Sequence, residues 1–309
     1  MKQMIFRTRR IALGLALAML LASAGADPAC GSEACSCVVP DIGFLVMTGA
    51  EIPLDSRGIP WAGALDREDN EPVLPAASSF SIERVVEGGR IGVPVELELL
   101  TGPPVGDGAP FSMSHLLVVR PRGGFAAGGQ YLFRDYGGQA RYRAWRTVEM
   151  PHEVVVSVSD SRLADAVAAA APASLETREH GVAELRVMTT CGSCSVSIDA
   201  AQTGISLRLP AELRRWSDVL LYTTTVDGES IWRPQRHLCS RVAPGESWTG
   251  RGSELVFASC GTVGETRCRP SYDLANGEHE VEMTAWWPGV DASVSARANV
   301  ELTCDQGPE

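Results

Sequence analysis

The stretch TTCGSCSVSIDAAQTGISLRLP, residues 189–210, decides how this chain is read. It opens with Cys191 and Cys194, two residues apart. That spacing serves thiol–disulfide centres, zinc clasps and cross-linked β-proteins. A redox centre needs its first thiol at a helix N-terminus, where the free N–H groups and the helix dipole lower its pKa. Here Ser195, Val196, Ser197 and Ile198 alternate polar and apolar, and Ile205, Leu207 and Leu209 alternate again further on. Alternation of this kind is the repeat of a strand, with successive side chains on opposite faces. No helical pattern follows the cysteines and no βαβ pattern precedes them. The stretch therefore predicts a strand leaving Cys194 and a structural cross-link.

Outward from this stretch the same rhythm recurs. Gly43 to Met47 is a candidate first strand, and Val93, Val95, Leu97 and Leu99 alternate with polar or proline residues. His115 to Val119 is apolar, Tyr131 and Phe133 alternate, and Val154 to Val158 is β-branched. Strand patterns return at Val182 to Met188, Val219 to Val226, Glu254 to Ser259, Val281 to Ala285 and Ala298 to Thr303. Asp227-Gly228 separates two of these runs, and Asp-Gly suits the positive φ angles of a tight hairpin turn. Short strands between turn residues point to an all-β protein of the sandwich kind. Residues 159–181 break the pattern. They are rich in Ala and charge, and a short helix fits Ser161 to Ala170, stopped before Pro172. The expected organisation is a unit over 27–158, a linker over 159–181 and a second unit over 182–309. The alternative for 159–181 is a loop inside one larger domain.

Residues 1–26 read as an export signal. Lys2, Arg7, Arg9 and Arg10 precede an apolar run from Ile11 to Leu21, and Ala24-Gly25-Ala26 offers a small-residue cleavage site. Thr8-Arg9-Arg10-Ile11 has the twin arginines of a folded-export signal but little else of that motif. Asp27 stands where lipid anchoring at Cys30 would want an aliphatic residue. No later segment is apolar for long enough to cross a membrane as a helix. Cleavage would remove four positive charges and take the net charge from −11 to −15. Such an acidic surface repels phosphate backbones and anionic lipids, which argues against nucleic-acid and electrostatic membrane partners. Proteins, glycans and divalent metals stay open.

The nine cysteines, Cys30, Cys35, Cys37, Cys191, Cys194, Cys239, Cys260, Cys268 and Cys304, all follow that site. In an exported chain they are disulfide candidates, and an odd number leaves one free, intermolecular or modified. Zinc wants about four ligands, commonly two close pairs. Cys35-Ser36-Cys37 is the wrong spacing for a second pair, and Cys239, Cys260 and Cys268 with His237 match no finger. Calcium is the sharper metal expectation. Asp66, Glu68, Asp69 and Glu71 cluster around Asn70, and calcium takes about six to eight oxygen ligands. The alternative is a solvated acidic loop. Trp286 and Trp287 are adjacent, so on a strand they face opposite ways. With Trp232 and Trp248 they make a candidate binding surface, against the alternative that both are buried. None of the five histidines forms a paired metal motif, and no nucleophile elbow or phosphate loop is present.

Two passages carry a family resemblance. VVRPRGGFAAGGQYLF, residues 118–133, resembles the closing half of a bacterial Ig-like domain, with Phe125, the Gly128-Gly129 bend and Tyr131 in the tyrosine-corner place. The opening VPDIGFLVMTGAEIPLDSRGIPW, residues 39–61, fits the first strands of such a domain. LANGEHEVEMTAWWPGV, residues 274–290, is similar to the corner and penultimate strand of secreted fibronectin type III-like domains, with His279 at the corner. The resemblance implies two tandem β-sandwiches used for binding or scaffolding, and it transfers no catalytic residue. The expected function is an exported, non-enzymatic module of the cell envelope or extracellular space, acting on a protein or glycan. The rival expectations are a periplasmic thiol–disulfide or metal-dependent enzyme centred on Cys191 and Cys194, and a secreted protease inhibitor.

Overall fold

The computed structural model describes residues 43–63, 66–68, 71–100, 115–136, 152–189, 192–231, 252–261 and 273–304. The fold is all-β and sandwich-like. Residues 43–158 build two sheets, one of four strands and one of five. In the first, β1 (Gly43–Phe44), β3 (Ile59–Gly63), β9 (His115–Pro121) and β8 (Val95–Leu100) lie side by side in that order. The second runs β2 (Glu51–Ile52), β11 (Glu153–Val158), β10 (Gln130–Asp135), β6 (Phe80–Val86), β7 (Gly89–Val93). Residues 174–302 build two more. One is β12 (Ser174–Thr189), β13 (Gly192–Arg208), β16 (Ser253–Ser259), and the other is β15 (Glu229–Ile231), β14 (Leu221–Val226), β17 (Gly277–Trp286), β18 (Ser293–Leu302). The described pairings are antiparallel except β2 with β11. A small hairpin, β4 (Asp66–Glu68) with β5 (Glu71–Val73), stands apart.

Alternation explains the sheets. On β11, Val154, Val156 and Val158 are buried while the residues between them are more open. They meet Ile59, Ile82, Leu117 and Val119, and an aromatic group in which Phe44 sits edge-on to Phe80 and Phe133, and Trp61 edge-on to Phe80. Edge-to-face rings add about 0.5–1.5 kcal/mol per pair beyond the area they bury. On β17, His279, Val281, Met283 and Ala285 are buried in alternation and pack with Ile205, Leu207, Val256 and Val300.

Three sequence expectations change. The alternating run at 93–99 is two strands in two different sheets. Pro94 has no N–H to give a ladder, so pairing stops there and the chain crosses from β7 to β8. The acidic stretch expected to be a loop is the β4–β5 hairpin, its strands hidden by residues with low strand propensity. The expected linker 159–181 contains a shorter helix, α1 (Leu163–Ala169), and the first residues of β12, which begins at Ser174. Residues 176–184 are exposed and charged along an edge strand, so no buried alternation marks them.

The β12–β13 ribbon is long. Its register runs from Ser174 opposite Arg208 to Thr189 opposite Gly192, skipping His180 at a bulge. β16 covers β13 only from Ala200 to Ser206, so the ribbon continues past it as two strands.

α1 joins the two halves. Arg162 at its N-terminus supplies no side-chain cap; Asp55 does so instead, from the loop between β2 and β3. Its carboxylate accepts the Leu163 N–H at 2.8 Å and the Ala164 N–H at 3.0 Å. The helix packs against a 3-10 turn, Ala211–Trp216, whose Leu213 and Trp216 are fully buried. Arg215 lies over the Trp216 ring, 4.1 Å from its centre, and approaches Glu51 at 3.9 Å. On the same side Trp287-Pro288-Gly289-Val290 closes a turn, with the Val290 N–H on the Trp287 carbonyl at 3.2 Å. Gly289 has φ +77°, as the third position of a type II turn requires. A Cβ there would lie 2.8 Å from the Arg57 side chain, so glycine also lets the halves approach.

Candidate functional site

The strand β13 runs through Cys194, and no helix begins there. Cys191 lies outside the described residues, and Cys194 is described by its backbone alone. Cys260 and Cys304 form a disulfide that joins the end of β16 to the residues just after β18, a separation of 44 residues. The pairing fits the expected staple in the second unit. Cys30, Cys35, Cys37, Cys239 and Cys268 lie outside the described residues.

Of the expected binding surface, Trp232 and Trp248 lie outside the described residues. Trp286 is half-buried on β17, and Trp287 is fully buried in the core. Trp287 therefore presents no surface to a ligand. For the calcium expectation, the hairpin register sets Glu68 opposite Glu71, with Asp66 two positions along the same strand. Asp69 lies outside the described residues.

Among the described residues, two histidines that are themselves buried face carboxylates, in pairs that sequence reasoning did not single out. The first lies inside the sandwich of residues 43–158. Asp135, at the end of β10, has a side chain only 1% exposed and faces His152 at 3.3 Å. A carboxylate only accepts, so His152 Nδ1–H donates to it. Trp61 Nε1–H, from the opposite sheet, donates to the same oxygen at 2.9 Å. The backbone adds the Asp135 N–H on the His152 carbonyl at 2.8 Å. Burying a carboxylate is tolerable only when donors replace water. Here the donors come from both sheets, and Asp135 bolts them together.

The second pair lies at the β14–β15 hairpin. Asp227 takes φ +53° and Gly228 φ +79°, the two positive angles of the turn expected from Asp-Gly. Asp227 Oδ1 accepts the Glu280 N–H at 2.9 Å, and the Asp227 N–H returns to the Glu280 carbonyl at 2.8 Å. Its Oδ2 lies 2.7 Å from His279 Nδ1, and the other ring nitrogen, Nε2, lies 2.8 Å from the Ala275 carbonyl. Burial works against charge on this ring, but the hydrogen bonds to Asp227 and Ala275 and the Asp227 charge outweigh it. His279 stands above the usual histidine range. The His279 hydrogen bond, then the Glu280 N–H, hold Asp227 below the usual carboxylate range.

Corner contacts occur in both halves. Tyr131 Oη accepts the Ala126 N–H at 3.0 Å, and Phe125 packs edge-on to the Tyr131 ring. His279 reaches back four residues to Ala275 in the same way. Tyr222 Oη donates to the Ser217 carbonyl at 3.0 Å, and burial, then Asp218, keeps its proton on well beyond the usual tyrosine range. These side chains close loops onto strands. The signals for two of them, Tyr131 and His279, were legible; Asp135 and His152 carried none, because nothing local links a strand-end Asp to a His 17 residues away.

No protein-family model matches the chain, and no curated protein matches it. No helix among the described residues is long and apolar enough to cross a membrane.

Proposed function

We propose that the chain is an exported, non-enzymatic module of the cell envelope or extracellular space, which holds or spaces a protein or glycan partner. In this reading residues 27–158 are an Ig-like sandwich and the C-terminal part, from β12 onward, a fibronectin type III-like one. The observation that carries it is the joint. A helix capped by Asp55 of the first half packs on Leu213 and Trp216 of the second, beside a turn whose glycine admits Arg57. Such a joint holds two sandwiches at one angle, which suits a spacer. The strand course through Cys194 supports the non-catalytic side, since a strand offers no helix N-terminus of the kind that lowers a thiol pKa.

The test is differential alkylation and mass spectrometry of the full chain recovered from the exported fraction of a bacterial host. The expected product lacks residues 1–26 and has Cys191 and Cys194 oxidised and unreactive until denatured and reduced. A retained leader, or a Cys191 thiol alkylated rapidly near pH 6 in the folded protein, overturns the proposal.

A further inference from the structure

We infer that His279 is a proton-operated latch, which in its charged form fastens the 273–276 segment and the β14–β15 turn to each other and lets the segment go when it loses its proton. Both ring nitrogens are within hydrogen-bond distance of groups that can only accept, the Asp227 carboxylate and the Ala275 carbonyl. A neutral imidazole has one N–H and can serve one of them. The other nitrogen then sets its lone pair against an oxygen lone pair. Only the imidazolium satisfies both. When the proton leaves, the remaining N–H stays with the stronger acceptor, the carboxylate. The hydrogen bond to Ala275 is the one that breaks.

The surroundings make the consequence local. On β17, Glu278 and Glu280 alternate onto the opposite face from His279. On β18 the partner of His279 is Val300, and Glu301 is paired with Glu278 on that opposite face. β14 brings Val226 ahead of Asp227, and Glu229 of β15 pairs with Val226 across the turn. The 273–276 segment brings Asp273, whose carboxylate accepts the Ser259 N–H at 2.7 Å. Asp227 is thus the charged group set against the ring among the described residues. Among the described residues the segment is also tied by Asp273 to Ser259 and by the Leu274 N–H to the Phe257 carbonyl at 3.1 Å, both on β16 next to the Cys260–Cys304 bridge, and Leu274 packs on the core. Asp227 keeps both hydrogen bonds to the Glu280 backbone in either state, so the turn stays put and the segment moves. An exported chain meets whatever pH its surroundings have, and this latch would report it.

The experiment is an NMR titration of the full chain, following His279 Cε1–H together with amide protection factors along 273–276 and in β11. The expected result has three parts. His279 titrates above the ordinary histidine value of about 6.5. Protection of the Leu274 N–H falls several-fold across that same midpoint, while the Val156 N–H in β11 does not respond. In Asp227→Asn, at an exposed position whose positive φ suits asparagine, proton affinity of His279 drops about tenfold or more, and the protection change moves with it. A midpoint at or below about 6.5 would overturn the latch. So would 273–276 exchange that ignores the midpoint, or an Asp227→Asn midpoint left in place.

Discussion

The molecule uses the same pair of side chains twice, in opposite settings. Asp135 and His152 are both shut inside the first sandwich, while Asp227 is 53% exposed on a hairpin turn with only its histidine buried. Inside, the carboxylate has no water to fall back on, and its donors come from two sheets, so the pair fixes how the sheets face each other. At the turn, the carboxylate stays solvated whatever the histidine does, and the pair responds to protons without risking the fold. Solvent access to the acid, rather than the distance between the partners, decides whether such a pair is a bolt or a switch.

The largest effect that would test this contrast is Asp135→Ala. It leaves the Trp61 indole N–H and the His152 ring buried without that acceptor, and taking the partner from a buried hydrogen-bonded group costs about 1–3 kcal/mol for each such group. Urea unfolding, extrapolated to zero denaturant, should show a loss of stability of that size. A cost below about 1 kcal/mol, the range of exposed pairs, would put Asp135 in the same class as Asp227. The next effect belongs to the other half. Replacing Cys260 and Cys304 by serine frees a loop of 44 residues in the unfolded chain and should cost about 2–4 kcal/mol, read by the same assay against the oxidised parent.

Smaller still is the joint between the halves. Asp55→Ala uncaps α1, for about 1 kcal/mol by the usual worth of an N-terminal cap. Amide exchange at Leu163 and Ala164 should rise more than exchange in β11 or β17. Equal change everywhere would mean that the helix does not open apart from the two sandwiches.

What the sequence disclosed follows from range. Strands with one buried face were legible because alternation is local: β10, β11 and β14 fall close to where the pattern places them, β17 and β18 overlap it but begin earlier, at Gly277 and Ser293, and Asp227-Gly228 marked its own turn. Tyr131 could be assigned a backbone partner because that partner is five residues away. The first half of β12 stayed hidden because its residues are exposed and charged, and β6 because Arg84 interrupts its apolar positions. Asp55 as the cap of a helix 108 residues on, and Trp61 as a donor to Asp135 74 residues on, are products of the packed fold and leave no trace in neighbouring residues. That Trp287 is the buried one of the two adjacent tryptophans was hidden for the same reason: period-two reasoning gives opposite faces, but not which face another layer covers.

The smallest expected effect is also the one with a sign to get right. His279 has a folded pKa raised above its unfolded value, so its contribution is present in full below about 6.5 and is lost as pH rises through the folded pKa. Asp227 has a folded pKa depressed below its unfolded value, so its share is present above about 3.9 and is lost as pH falls through the folded pKa. Both members are charged and paired between those limits. The thermal midpoint of the parent minus that of Asp227→Asn should therefore be widest from about pH 4 to 6.5 and shrink on either side. The first pair gives the contrast its edge: Asp135→Ala should lower the midpoint across the whole of that window, because it takes the acceptor from the Trp61 indole N–H inside the core, a donor that does not titrate. If the Asp227→Asn difference were instead flat with pH, the hairpin pair would be a second bolt, and exposure of the acid would not be what separates the two.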